Sequence, residues 1–523
     1  MPALELRLGI DVGATHTDAV VLDERDRMFA KAKVPSSPDI HAGIAATIDR
    51  LLTDGAVIRN GGAGAVTRVM LTTAAMTTAV EECSGLGRVA ALRIGSPVGD
   101  AVPPLTDWPA DLRRVVGGAR ARVRGGAEFD GRAIAPLDKD AVREFLAQVA
   151  GATHSVAISS IFSPVAPEQE LVAAALVAEE LGPAIRVSMS HQADGIGLLE
   201  RENATILNAA LSVAVRRFAD GLLARLADAG LAAVEPFLAR GDGTVMALEH
   251  ALSFPVTMLG AGPAMALRGA AHLSGVAQGV VVDAGGRRID VGVLHHGQPQ
   301  ASPLPSAIGG VRTAGRMPEL QTLDVGGGSV VQIDQVPPAP AADNVGHEVT
   351  RRALVFGGDT PTLLDAAVAA NRAQLGSVPL SGRRRSALTQ ALASVDVLLV
   401  DAVDRATGTL AAPPLVIVGG AGMLVPDVLA GASEVVRPSA GDVAGAVGTA
   451  LAPIGGSVDI ICPSRPDRHA AAMREARGAA IARAVHAGAD PDRTQVVEVE
   501  QVPLSYLVDP PIHVRVAASG PCC

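Results

Sequence analysis

The chain has 523 residues, more than a single hydrophobic core accommodates, so two or more lobes are expected. Hydrophobic residues make up 48% and aromatics only 2%, which leaves Ala, Val, Leu and Ile to build cores with close backbone approach. A net charge of -10 argues against a nucleic-acid groove or an anionic membrane surface, since neither attracts an acidic protein, and favours a small-molecule partner.

The N-terminal "MPALELRLGIDVG" has neither a basic start nor a small-residue cleavage site, and no apolar run reaches bilayer-spanning length. A soluble, cytoplasmic protein with no membrane segment is therefore expected. "LGIDVGATHTDAVVLD", Leu8 to Asp23, reads as a strand, a Gly turn rich in hydroxyls and a second strand, a hairpin rather than a strand-to-helix Rossmann turn. A basic Gly-rich stretch, "RVVGGARARVRGGAEFDGR", and a strand, "HSVAISSIF", follow. In "GLLERENATILNAALSVAVRRFADGLLARLADAG", Leu207, Leu211, Ala214, Phe218, Leu222 and Leu226 recur at helical spacing, which predicts a long buried scaffold helix.

"GVVVDAGGRRIDVGVLHHG", Gly279 to Gly297, then repeats the opening pattern. Asp283, Gly285, Gly286 and Asp290 keep the spacing of Asp11, Gly13, Ala14 and Asp18, so the architecture is duplicated. "QVPPAPAAD" reads as an exposed loop, the Arg run 383–385 as another, "PLVIVGGAGMLVPD" as a strand entering a Gly turn, and Gly445 to Ala452 as a short small-residue helix. From Val458 a small α+β appendage is expected, with Met473, Ala476, Ala480, Ile481 and Ala484 on one helical stripe before the strands "TQVVEVEQV" and "PIHVRVAAS". The corresponding boundaries are 1–185, 186–457 and 458–523.

The four cysteines include no CxxC pair, which excludes a disulfide framework, and the "GPCC" end reads as a frayed tail exposing Cys522 and Cys523. His295 and His296 are adjacent on a strand, so they should point to opposite faces and share no metal. "HEVTR" has Arg351 where HExxH needs its second His. His191 in "MSHQADG" is either a polar cleft residue or a structural hydrogen-bonding one, and Asp359 in "VFGGDT" either a cleft residue or the N-cap of "PTLLDAAVAA".

A tight Gly turn points several backbone N–H groups one way, and a neighbouring Thr adds hydroxyl donors, so such a turn cradles phosphate oxygens. The Asp at the strand end can then hold Mg2+. Two hairpins facing across a cleft would grip ATP phosphates from both sides, with the "VGGAG" turn at Val418 to Gly422 admitting the adenosine.

These strings resemble the actin, sugar kinase and heat-shock ATPase superfamily and, more closely, the hydantoinase/oxoprolinase A family. The matching segments also include "GIGLLERENATILNAAL", "GGVRTAGRMPE", "VGGGS" and "VPLSYL". The resemblance implies an α/β fold of duplicated actin-like ATPase (ribonuclease H-like) lobes around a nucleotide cleft, with the small α+β C-terminal appendage. It implies ATP and Mg2+, and ATP-dependent opening of a cyclic amide such as a hydantoin or a 5-oxoproline-like lactam. Phosphorylation of the amide oxygen makes it a leaving group before water attacks the carbon, and catalysis of the first step is positioning and charge neutralisation. By the same resemblance Asp11, Asp283 and Asp290 are catalytic. Gly13, Thr15, Thr17, Gly285, Gly286, Arg287, Arg288, Gly326, Gly327, Gly328, Gly419, Gly420 and Gly422 bind the nucleotide, and Asp11, Asp283 and Asp359 the metal. A hydantoinase B-like subunit or further copies of the chain are the implied partners, since no B-like domain fits after residue 460.

The chain departs from the family at the second hairpin. D-x-G-G-T-T-T-D becomes a turn with Arg287, Arg288 and Ile289 in the three Thr places. Either an Arg pairs with phosphate in their stead, or bulky side chains fill the γ-phosphate volume. The second alternative leaves a nucleotide-binding or partner-binding subunit. Ala14, His16, "TTAAMTTA", "AGPAMA" and "RTAGRMP" depart as well.

Overall fold

A computed structural model describes residues 5–380, 382–408, 412–462, 465–504 and 511–522. Cys523 and the "SYL" of "VPLSYL" lie outside the described residues.

The first lobe opens with antiparallel strands β1 (Leu6–Val12), β2 (His16–Leu22) and β3 (Met28–Pro35). Leu8, Ile10, Val20 and Leu22 bury there, as an apolar run bounded by turns should. Helix α1 (Ile40–Leu52) begins where the Asp39 side chain accepts from the His41 N–H, and β4 (Val66–Thr73) returns parallel to β1. The short helix α2 (Ala75–Glu81) leads into a separate parallel sheet of β5 (Val89–Ser96), β6 (Gly117–Arg124), β7 (Ser155–Ser160) and β8 (Arg186–Met189).

Helix α3 (Leu198–Asp228) packs against both units. It buries Leu207, Leu211, Phe218, Leu222 and Leu226, as the spacing predicts. Buried Arg93 reaches it from β5, Nε lying 2.9 Å from Glu202 Oε1. Strands β9 (Pro236–Ala239) and β10 (Val245–Ala247) follow, then α4 (Ala261–Ser274).

The second lobe repeats the hairpin as β11 (Gly279–Ala284) and β12 (Ile289–His295). Strand β13 (Leu320–Leu323) pairs with β12, while β14 (Leu415–Val418) runs parallel to β11 with β15 (Val435–Val436) beyond it. Helix α5 (Gly382–Thr407) covers this sheet with Leu388, Leu392, Val395 and Leu399. Helix α6 (Ala444–Leu451) crosses α4 backbone to backbone. A side chain on Gly269 would collide with the Ala444 carbonyl, and one on Gly448 with the Met265 carbonyl. The small-residue composition is what permits that crossing.

The C-terminal segment has the expected α+β pattern: β16 (Ile454–Cys462), α7 (Pro466–His486), β17 (Gln495–Pro503) and β18 (Ile512–Gly520). It is continuous with the first lobe, whose nine-stranded sheet runs β17-β18-β16-β10-β9-β4-β1-β2-β3.

Four expectations change. Cys522 is buried rather than frayed, because Ala489 bridges to it and the Asp490 N–H donates to the Pro521 carbonyl at 2.9 Å. Arg383 to Arg385 form the exposed first turn of α5 rather than a loop. By length and composition α5 is also long and apolar enough to cross a bilayer, whereas no run of that length was expected. Its inner face belongs to the second-lobe core, and Arg372 Nη1 meets Asp396 at 2.7 Å. Finally, β12 ends at His295, and the left-handed backbone of His296 (φ 51°) brings the two rings within 4.2 Å instead of setting them on opposite faces.

Candidate active site

Each hairpin sets two aspartates side by side, Asp11 opposite Asp18 and Asp283 opposite Asp290. Their turns close alike, Gly13 N–H donating to the His16 carbonyl and Gly285 N–H to the Arg288 carbonyl, both at 3.0 Å. The turns touch, for a side chain on Gly286 would collide with Thr15.

Asp11 and Asp283 are half-buried and have no hydrogen-bond partner among the described residues. Burial, with Asp18 and Asp283 adding repulsion, pushes the Asp11 carboxyl up to about 8. Burial, then Asp290 and Asp18, pushes Asp283 up to about 7. Unpaired carboxylates that repel each other fit a dication, and Mg2+ is commonly held by one or two carboxylates plus phosphates. No cluster of three or more His, Cys, Asp or Glu among the described residues could hold a metal by itself.

The outer aspartates are already satisfied. Lys33 Nζ lies 2.8 Å from both Asp18 oxygens and donates to the Asp442 carbonyl at 3.1 Å. Thr322 Oγ1 donates to buried Asp290 at 2.6 Å. Lys33 was not among the sequence candidates. Its only signal is the alternation in "KAKV", which places it opposite Asp18 once β2 and β3 pair. Gly445 was missed too: a side chain there would collide with the Asp11 carboxylate.

The other candidates divide. Thr15 stands at the junction of the turns, its Oγ1 3.2 Å from His16 Nδ1. Thr17 is buried, turned toward Gly43 and 3.5 Å from Ser36 Oγ. Gly326 to Gly328 brace the second turn from behind, the N–H groups of Gly327 and Gly328 donating to the Gly285 and Gly286 carbonyls at 3.1 and 2.8 Å. Gly419 (φ 87°) packs on Asp283, where a side chain would collide, and Gly420 lies against Lys33. The Gly422 carbonyl accepts from Arg437 Nη1 at 2.9 Å.

Arg287 and Arg288 leave the turn for the opposite lobe. Their Nη atoms lie 3.2 Å from Glu82 and 3.1 Å from Glu81, at the end of α2. Ile289 is fully buried in the second-lobe core. Asp359 is exposed, accepts from Thr360 Oγ1 at 2.9 Å and lines a surface hollow with Gln332, Asp334 and Arg384 that includes neither Asp11 nor Asp283. It is not the N-cap either; Thr362 caps that helix in a reciprocal box with Asp365.

Residues 7–181 match the family model of the hydantoinase/oxoprolinase N-terminal region, and residues 201–394 that of hydantoinase/oxoprolinase. Caprolactamase subunit alpha of Pseudomonas jessenii is 27% identical over 399 residues, covering 71% of this chain and 55% of that protein. The chain thus spans about half the length of the curated relative it matches. Nucleotide-free acetone carboxylase shares the fold with a TM-score of 0.72 at 16% identity, over 99% of this chain and 88% of that one. The ATP-dependent caprolactamase from Pseudomonas jessenii does so with a TM-score of 0.71 at 17% identity, over 98% and 87%.

Proposed function

The chain belongs to the hydantoinase/oxoprolinase family, and on that premise we propose that it is the ATP-dependent subunit of an enzyme that opens cyclic amides. The observation that carries the reading is the pair of facing hairpins with unpaired Asp11 and Asp283 between them. Asp11 and Asp283 would hold Mg2+, and the turn backbones at Ala14–Thr15 and Gly286–Arg287 would meet phosphate. Thr15 and Gly286 must part to admit it. Bound Mg2+ supplies charge neutralisation on the phosphates. The adenosine would sit on the side of Gly419 and Gly420.

The likeness to a protein named as an alpha subunit supports a further subunit that completes ring opening. A hydantoin, 5-oxoproline or a larger lactam is the substrate class. Isothermal titration with Mg-ATP and Mg-ADP, followed by ring-dependent ADP release with and without copurified protein, tests this. Heat on nucleotide addition and ring-stimulated ADP release are expected. A folded chain that gives no heat with either nucleotide would be a partner-binding subunit instead.

A further inference from the structure

Away from the phosphate turns, a cavity of about 290 Å3 opens at the carboxyl edge of the first-lobe sheet. The parallel registers set Asp11 beside Thr72 and Leu71 beside Leu238, so Arg240, just past β9, stands on the edge that carries Asp11. Carboxyl edges of such sheets are where ligands bind in open α/β folds.

Three polar side chains on its wall are arranged for a ligand. His191 Nδ1 lies 2.7 Å from Glu170 Oε2, and the His191 backbone N–H donates to the same oxygen at 2.9 Å. Glu170 is fully buried and also accepts from the Ser190 hydroxyl at 2.6 Å. A carboxylate so placed keeps the proton on Nδ1 and leaves the Nε2 lone pair free. Arg240, 7% exposed, donates through Nη1 to the Gly455 carbonyl at 2.8 Å and pairs with Asp242 at 3.1 Å. Its buried Nε–H has no partner. His250 makes ring contacts with Phe254 and His486, and its buried Nδ1 is also unpaired. Orphaned buried polar atoms are costly, and a bound ligand is one way they are satisfied. The rest of the wall includes Met189, Phe254, Val256, Leu259 and Met317. Its arginines are matched by carboxylates, Arg240 by Asp242, Arg316 by Glu500 and Arg483 by Asp194. An uncharged ligand suits it.

We propose that this cavity takes the cyclic amide and that His191 is the base in its activation, an inference that rests on the reading of the chain as an ATP-dependent subunit. A small ring holds its amide cis, so the N–H and C=O lie side by side and call for one acceptor and one donor. His191 Nε2 is that acceptor, and the Arg240 side chain on the same wall is the nearest candidate for the donor. As the amide oxygen bonds to the γ-phosphorus of ATP, the bond from that phosphorus to ADP breaks, C=O becomes C–O and C–N becomes C=N. The N–H proton must leave, and His191 Nε2 takes it while the Glu170 carboxylate stabilises the imidazolium.

The test titrates the full chain, with any copurified subunit, with hydantoin, 2-pyrrolidone, N-methyl-2-pyrrolidone and caprolactam, and measures ring-dependent ADP formation. Wild type should bind at least one N–H ring and bind the N-methyl ring at least about tenfold more weakly. Ala193→Trp, which fills the cavity wall, should cut ring affinity by about tenfold or more and leave Mg-ATP affinity unchanged. His191→Gln keeps an acceptor, so ring affinity should hold within about threefold while ADP formation falls about 100-fold or more. Ring binding that survives Ala193→Trp, or ADP formation that survives His191→Gln, overturns this inference and leaves the ATP-dependent reading standing. A wild-type chain with neither ring binding nor ring-dependent ADP formation overturns both.

Discussion

The two Asp hairpins share a backbone and send their charges to different places. In the first, Lys33 from the next strand neutralises Asp18 inside the same lobe. In the second, Asp290 accepts from the Thr322 hydroxyl and feels the charge of Arg288, whose hydrogen bonds, like those of Arg287, go outward to Glu81 and Glu82 of the other lobe. Strand pairing and a Gly turn fix the backbone, so it repeats faithfully, whereas side-chain destinations depend on neighbours that the repeat does not share. Both hairpins reach the other lobe, the first through Lys33 on the Asp442 carbonyl and the second through the ion pairs of its two arginines.

The largest expected effect comes from removing the inner charge of either hairpin. Asp11→Asn and Asp283→Asn should each lower ring-dependent ADP formation by about 100-fold or more, as losses of transition-state electrostatics do. Full activity in one variant would show that a single hairpin suffices. Next, Lys33→Met should cost about 1–3 kcal/mol in urea unfolding, because it leaves the largely buried Asp18 without its partner. Thr322→Val at the second hairpin should cost about 1 kcal/mol.

The interlobe pairs are more exposed, so Arg288→Ala should change stability by only about 0–1 kcal/mol. Nucleotide titration then sharpens the comparison. If Arg288 swings to phosphate, Arg288→Ala weakens Mg-ATP by about 1.5–3 kcal/mol while Glu81→Gln, which frees the arginine, tightens it. If the pair only ties the lobes, both variants shift affinity in the same direction.

The smallest effect is a pH slope. An unfolded Asp titrates near 3.8 and folded Asp11 at about 8, so between those values the folded chain keeps a proton that the unfolded chain has lost. Its contribution to stability therefore falls as pH rises from about 4 to about 8. Asp11→Asn should melt roughly 1–3 °C above wild type at pH 8 and converge with it near pH 4, by calorimetry.

The hairpins were legible because their chemistry is written in contiguous residues: an Asp, a Gly turn and an Asp at fixed spacing predict both the ladder and the pairs Asp11–Asp18 and Asp283–Asp290. The long helix was legible for the same local reason. Lys33 was hidden because its role depends on cross-strand register. The glycines at 326–328 stood out only through the resemblance, as nucleotide-binding residues, and not as a brace spending its N–H groups on the second hairpin. Arg287 and Arg288 could be placed in the turn, yet nothing local names Glu81 and Glu82 as their destination. Ile289 looked like a lost hydroxyl donor, but its side chain belongs to the core, where a Thr hydroxyl would need a partner. The cavity gathers His191, Arg240 and His250, with Glu170 behind His191, from segments far apart in sequence, and of these only His191 was a candidate.

The sheet that carries Asp11 is closed on one side by β16, with Val245 of β10 meeting Ile454. During synthesis β10 therefore waits with an open edge while the whole second lobe is made. At about 5–20 residues per second the ribosome takes on the order of ten seconds or more to deliver its neighbour. The second lobe waits less, since β11 at 279–284 meets its parallel neighbour β14 at 415–418. It can mature first and present its hairpin to an unfinished first lobe, so the last contacts to form are those that complete the cavity wall at Gly455 to Ser457 and Arg483. A nascent chain halted before residue 454 would expose the β10 edge to chaperones or to aggregation.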